Sequence, residues 1–216
     1  MLKAVIFDMD GVIIDSEPVH FQLERELLEE FGGNFSREKH GSFLGTTDYH
    51  MWSSYKKLFS LKASVEEIIE IKKERFCKKI PEIELVDNFM EFMLMLYEKG
   101  YKMALASSNN RKAVDAVVER FNLDKYFNFI ISGEDVSKGK PDPEIFLTAA
   151  NNMKVEPKEC LVIEDATNGV MAAKAAGMKC IGLKNPNSGK QDLSQADLVV
   201  ENFNQLNLDI IKDLFK

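Results

Sequence analysis

Six short apolar runs punctuate the chain, at residues 4–7, 103–106, 129–132, 161–163, 179–183 and 197–200. They lack polar alternation, as expected of strands covered on both faces. From residue 103 onward they alternate with helical patterns, which predicts a parallel sheet with helices on either side. Val114, Val117, Val118 and Phe121 recur at helical spacing, and Asn122 follows as a stop. Residues 168–176 are rich in small side chains, which let a helix lie close to a sheet, and end at Gly177. Residues 206–215 read as a terminal amphipathic helix.

The stretch between the first two strands breaks this rhythm. Residues 16–82 contain no good strand and two strong helical patterns, one carried by Leu23, Leu27, Leu28 and Phe31, the other by Val65, Ile68, Ile69, Lys72 and Phe76. A simple crossover needs one helix, and this segment is far longer. Pro18 and Pro81 mark its two ends. The predicted fold class is therefore α/β: a Rossmann-like parallel sheet core, residues 1–15 and 83–216, with a small helical cap, residues 16–82, inserted after the first strand.

Composition narrows the partners. The 216 residues are 45% hydrophobic and 29% charged, enough for a core domain with an insert. The formal net charge of −7 argues against nucleic acid, which needs basic patches. No apolar stretch is long enough to span a membrane, and no signal-type segment opens the chain. Cys77, Cys160 and Cys180 fit no ligand pattern and read as free thiols, consistent with a cytoplasmic protein. A monomer is the expected state.

The chemistry is concentrated at strand ends. Asp8-Met9-Asp10-Gly11 follows the first run directly, placing two carboxylates at a strand's C-terminal end with a glycine to turn the backbone. Ligands of open α/β sheets bind there. One carboxylate can act as a nucleophile and the other as a general acid and base. The second strand ends in Ser107-Ser108-Asn109-Asn110, either an anion cradle or the N-cap of the next helix. Lys138 and Lys140 sit in a turn shaped by Pro141 and Pro143, and either could bring positive charge to the site. Glu164-Asp165 closes the fourth strand, giving four acidic groups at adjacent strand ends. Such a cluster calls for a cation, and Mg²⁺ with carboxylates, water and substrate phosphate suits it. Together these groups describe a phosphoryl-transfer site.

The ordered set Asp8-Met9-Asp10-Gly11-Val12, Ser107, Gly139-Lys140-Pro141-Asp142-Pro143 and Glu164-Asp165 resembles the four motifs of the haloacid dehalogenase superfamily along the whole chain. The resemblance implies that Asp8 is the nucleophile, becoming an aspartyl-phosphate, and also a Mg²⁺ ligand. It implies that Asp10 is the general acid and base, giving the metal its backbone carbonyl. Ser107 would hold the phosphoryl group, with Gly11, Ser108 and Asn109 close by, and the motif lysine becomes Lys140 rather than Lys138. Asp165 would complete the metal site, with Glu164 supporting it directly or through water. Asp10 separates the chain from the dehalogenases and from the phosphonoacetaldehyde hydrolases.

Within the superfamily the resemblance is to the beta-phosphoglucomutase-like group, which holds mutases and sugar-phosphate phosphatases. The mutases carry a Lys-Gly-x-x-Arg run in the cap that grips a second phosphate. The matching stretch here, Leu44-Gly45-Thr46-Thr47-Asp48, keeps the glycine but loses both cations. An acid at Asp48 would repel that phosphate, so hydrolysis of a small phosphorylated metabolite, a sugar or polyol phosphate, is expected over isomerisation, with a mutase as the alternative. A non-catalytic phosphate-binding protein would be expected to lack a catalytic carboxylate or the lysine, and none is missing. Gly45, Thr46, Asp48 and His20 are the candidate cap contacts to substrate. His20, His40 and His50 are expected at the surface, with His20, just past the linker, best placed to face the cleft. Trp52 and Tyr55, helical neighbours, fit cap core better than a stacking platform.

Overall fold

The computed structural model describes residues 1–41, 43 and 47–216. Its strands are β1 (Ala4–Phe7), β2 (Lys102–Ala106), β3 (Phe129–Ile131), β4 (Cys160–Glu164), β5 (Lys179–Leu183) and β6 (Leu198–Val200). They form one sheet in the order β3-β2-β1-β4-β5-β6, with every pair parallel. The order reverses between β1 and β4, so a crevice opens at their carboxyl ends. Phe7 is in register with Leu105 and Ile163, and the Asp8 N–H continues the ladder to the Ile163 carbonyl at 3.0 Å. Asp8 thus leaves the sheet between the ends of β2 and β4.

Alternate residues of the strands feed two cores. Val5, Phe7, Met103, Leu105, Leu161 and Ile163 face the helices α5 (Phe89–Glu98), α6 (Arg111–Arg120) and α9 (Leu208–Asp213). Ala4, Ile6, Ala104, Cys160 and Val162 face α7 (Glu144–Met153) and α8 (Thr167–Ala175). Phe7 anchors the first core, with edge-to-face contacts to Phe89, Phe92 and Phe127 at 5.6, 6.3 and 6.1 Å.

Between β1 and β2 lie α1 (Glu17–Glu30), α2 (Arg37–Gly41), α3 (Asp48–Phe59) and α4 (Val65–Lys79). Leu27, Leu28, Met51, Trp52, Tyr55 and Ile68 make a third core among these helices, whereas Leu23 and Phe76 pack onto the sheet-side core. Trp52 and Tyr55 are fully buried there, as cap core. Pro18 lies inside the first turn of α1, and Pro81 in a 3-10 turn just before the chain returns to the sheet.

The predicted strands are found within one residue at either end. Several helices depart from the pattern, three of them for identifiable reasons. Periodicity does not single out α5, because Phe89-Met90-Glu91-Phe92-Met93-Leu94-Met95-Leu96 is apolar nearly all round, the mark of a buried helix. The short α2 is almost entirely polar. The terminal helix begins later than expected, where the Asn207 side chain caps the backbone N–H groups of Asp209 and Ile210. No helix among the described residues is long and apolar enough to cross a membrane.

Candidate active site

Asp8 and Asp10 follow the carboxyl end of β1, Ser107 that of β2 and Glu164-Asp165 that of β4, while Lys140 reaches in from the loop between β3 and α7, and a bare backbone lets these groups converge. Gly11 has φ +73°, and a Cβ there would lie 1.9 Å from Asp165 Oδ2. Gly169, in the first turn of α8, lies against the Glu164 carboxylate, and a Cβ there would come within 1.7 Å of it.

Lys140 is the hub. Its ammonium donates to Asp8 Oδ1 at 2.5 Å, to Glu164 Oε1 at 2.7 Å and to the Ala106 carbonyl at 3.2 Å. Its side chain is buried, and the two acids hold its pKa above the ordinary lysine value against the cost of that burial. Lys138 points outward instead, its side chain 73% exposed and 3.7 Å from Asp142. The fold thereby separates two lysines that charge alone could not.

Asp8, Glu164 and Asp165 are buried together, each offering an oxygen within 4.8 Å of the others. Burial pushes Asp8 up to about 7, with Glu164 and Asp10 adding to the rise and Lys140 opposing it. Burial and the neighbouring Glu164 and Asp8 likewise raise Asp165 well above the usual carboxylate range. One ammonium does not balance three buried carboxylates, and an all-oxygen donor set of this size fits a hard divalent cation. Glu164 already has both oxygens engaged, one by Lys140 and the other by the Ala166 N–H at 2.9 Å. Asp8 and Asp165 are therefore the better placed donors.

Asp10 occupies a different environment. Ser16 Oγ donates to its Oδ1 at 2.5 Å and Asn109 Nδ2 to its Oδ2 at 2.6 Å, while His20 Nε2 stands 3.7 Å away. Burial alone would raise Asp10, but His20, Ser16 and Asn109 together hold it below its ordinary value. His20 does face the cleft, its ring stacked on Phe76 at 4.3 Å.

Ser107 is fully buried, and its Oγ accepts the Asn109 N–H at 3.1 Å. Ser108 is exposed beside it. The capping role in this turn falls to Asn110, whose side chain accepts from the Ala113 N–H at 2.9 Å.

The cap differs from expectation at His40 and Asp48. His40 is buried, with Nε2 2.5 Å from Glu24 Oε2, because Glu24 and Lys72 form an ionic core that needs partners. Lys72 donates to Glu24 Oε1 at 2.5 Å and to Asp48 Oδ1 at 2.6 Å. Asp48 is thus not an uncompensated acid over the cleft but one arm of this cluster. Leu44, Gly45 and Thr46 lie outside the described residues. His50 is exposed, as expected.

The sequence carries little signal for two further polar contacts. Ser16, beside Asp10, is marked only by its place at the start of the insert. Ser188, whose hydroxyl donates to Asp165 Oδ2, lies in the Asn- and Gly-containing loop after β5 and is visible only once the fold closes.

An open parallel sheet with an acidic cluster, a shared lysine and a helical insert at its switch point defines a class, and comparison with known proteins agrees. The haloacid dehalogenase-like hydrolase family matches residues 5–183, and the chain belongs to that family. It is 34% identical over 184 residues to the phosphorylated carbohydrates phosphatase of Thermotoga maritima, covering 83% of this chain and 84% of that protein. It is 30% identical over 221 residues to the beta-phosphoglucomutase of Bacillus subtilis, covering 98% and 95%. The crystal structure of beta-phosphoglucomutase from Clostridium difficile matches with a TM-score of 0.82 at 27% identity, over 100% of this chain and 97% of that one.

Proposed function

We propose that this protein is a Mg²⁺-dependent phosphatase that hydrolyses a small phosphorylated metabolite, a sugar or polyol phosphate, through a phosphorylated Asp8. The observation that carries the reading is the division of labour between two carboxylates two residues apart. Asp8 shares Lys140 with Glu164, while Asp10 is held by Ser16 and Asn109 away from that lysine.

In this reading Asp8 attacks phosphorus, Lys140 offsets charge on the transferring group, and the Ser107 hydroxyl with nearby backbone N–H groups binds its oxygens. Asp10 protonates the leaving oxygen and then takes a proton from the water that attacks the aspartyl-phosphate. The approach of a phosphate dianion raises the Asp10 pKa from its low resting value, as an acid role requires. Asp8, Asp165 and the Asp10 backbone carbonyl would hold Mg²⁺, with Glu164 supporting through Lys140. When bound, the ion offsets repulsion between these carboxylates and the phosphoryl oxygens. Residues 16–82 would act as a cap that opens for substrate and closes for chemistry.

The similarity to a carbohydrate-phosphate phosphatase supports hydrolysis. A mutase is the second reading, favoured by the extent of the match to beta-phosphoglucomutase. Assay with p-nitrophenyl phosphate in Mg²⁺ and then in EDTA tests the core of the proposal, with phosphate release expected in the first and lost in the second. Release that is indifferent to EDTA would overturn the metal dependence. A panel of sugar and polyol phosphates ranked by kcat/KM would identify the substrate class.

A further inference from the structure

The loop after β5 reaches four separate parts of the site without joining the sheet. Asn185 Nδ2 donates to the Gly11 carbonyl at 3.3 Å, and Asn187 Nδ2 to Asp15 Oδ2 at 2.8 Å. Ser188 Oγ donates to Asp165 Oδ2. Gln191 Oε1 accepts from both the N–H and the hydroxyl of Thr167, at 3.0 and 3.1 Å. Cavities of about 910 and 370 Å³ border the loop. A segment with open space beside it is located by its side-chain bonds more than by burial.

Unlike Asn185, Asn187 and Gln191, Ser188 is buried, at 5% exposure. Its hydroxyl faces the Asp165 carboxylate and donates to Oδ2. On the other side Gly11 closes the space, since a Cβ at that position would meet both Asp165 Oδ2 and, at 3.0 Å, Ser188 Oγ. One oxygen of Asp165 is therefore clamped between a bare backbone and a buried hydroxyl. Fixing one oxygen fixes the direction of the other. Partners of this kind orient metal ligands.

We propose that Ser188 is a positioning residue that orients Asp165 for divalent-cation binding. The inference rests on the reading of Asp165 as a metal ligand. It gives the loop after β5 a role that no strand-end motif contains: Ser188 holds the metal carboxylate, and Asn187, one residue before it, holds Asp15 beside the start of the cap.

The test is direct Mn²⁺ binding to the intact protein, by titration calorimetry or by the loss of free-ion paramagnetic signal. Wild type is compared with Ser188→Ala, Ser188→Thr, Asp165→Ala and the exposed loop control Lys190→Ala. Loss of a partner to a metal ligand typically weakens affinity about 10- to 100-fold, and Ser188→Ala is expected in that range. Ser188→Thr, which keeps the hydroxyl, should restore most of it, and Lys190→Ala should bind as wild type does. In turnover, Ser188→Ala should need more Mg²⁺ for half-activation and regain most of its kcat at saturation. Melting temperatures read alongside separate positioning from folding, because a merely structural Ser188 would lower them without moving the metal constant. Wild-type binding by Ser188→Ala, with binding lost in Asp165→Ala, would overturn this inference alone. Wild-type binding by Asp165→Ala would remove the metal-ligand reading, and this inference with it. Failure of Ser188→Thr to recover would show that the hydroxyl is not the cause.

Discussion

Asp8 and Asp10 are separated by one methionine, yet their surroundings drive them apart. Asp8 is raised to about 7 by burial, while Asp10 lies below its ordinary value despite burial. In the proposed reading both shifts would reverse on loading, because a divalent cation beside Asp8 would favour its charged, nucleophilic form and a phosphate dianion beside Asp10 would favour its protonated form. Asp8→Asn is expected to abolish turnover while the circular dichroism spectrum stays native, because the amide keeps the shape and loses the nucleophile. Asp10→Asn should slow kcat by roughly 10²–10⁴-fold, the usual range for general acid–base catalysis. Stopped turnover with accumulation of phosphorylated protein would further place that defect after Asp8 attack. Gly169→Ala is expected to cost both stability and kcat, because its Cβ would displace the Glu164 carboxylate that anchors Lys140. Thermal melting together with kcat at saturating substrate reads both effects. At this scale the motif residues were legible in the sequence, since chemistry and strand ends coincide. The choice between Lys138 and Lys140 was not legible from charge and spacing, because both lie in one turn and only the closed fold buries one of them.

Among the elements, the cap shows most clearly what a periodic pattern conveys and what it hides. Lys72 falls on the apolar stripe of α4 between Ile68 and Phe76, so its burial was implicit in the spacing. Its partners were not, because Glu24 and Asp48 lie 48 and 24 residues away in the chain. Short aliphatic runs located the strands well, since four or five residues between turn signals are too few for a buried helix. The all-round apolar α5 and the polar α2 lacked the contrast that makes a helix legible. The buried cluster has a pH signature. Burial opposes the charge on Glu24, but Lys72 and His40 outweigh it and bring Glu24 from 4.5 to about 2. A depressed carboxylate contributes stability that is complete above pH 4.5 and lost as pH falls toward 2. Lys72 is raised, so its contribution is complete below 10.5 and lost as pH climbs through its folded value. The Glu24 contribution is on the order of 3 kcal/mol. Glu24→Gln should therefore melt well below wild type at pH 7, and the gap should close as pH is lowered from 4.5 toward 2. A gap independent of pH over that interval would show that Glu24 charge contributes nothing to cap stability.

For the whole molecule, the proposed phosphorylation of Asp8 raises the question of which acceptor would take the phosphoryl group from it. The sheet order puts Asp8 at the switch point, and the insert leaves the sheet just beyond it, so in the proposed reading substrate would be held between core and cap. A mutase has to bind a second phosphate firmly on the cap side and keep water out until a hydroxyl arrives. That calls for net positive charge facing the cleft. Lys72 does not supply it, because two carboxylates share the lysine, and even a charged His40 brings the group only to neutrality. Arg37 lies over the Phe21 ring at 5.3 Å and lines a cavity of about 310 Å³, but Glu17 lines the same cavity. Burial raises Glu17, and Asp10 and Glu24 add to that rise, so bringing a second phosphate beside it would increase an existing repulsion. A neutral leaving group bearing hydroxyls meets no such barrier and can donate hydrogen bonds to the carboxylate. Incubation with beta-glucose 1-phosphate, Mg²⁺ and a bisphosphate activator, following glucose 6-phosphate and free phosphate together, measures the partition. Free phosphate is expected to dominate. Glucose 6-phosphate forming many times faster would make the protein a mutase.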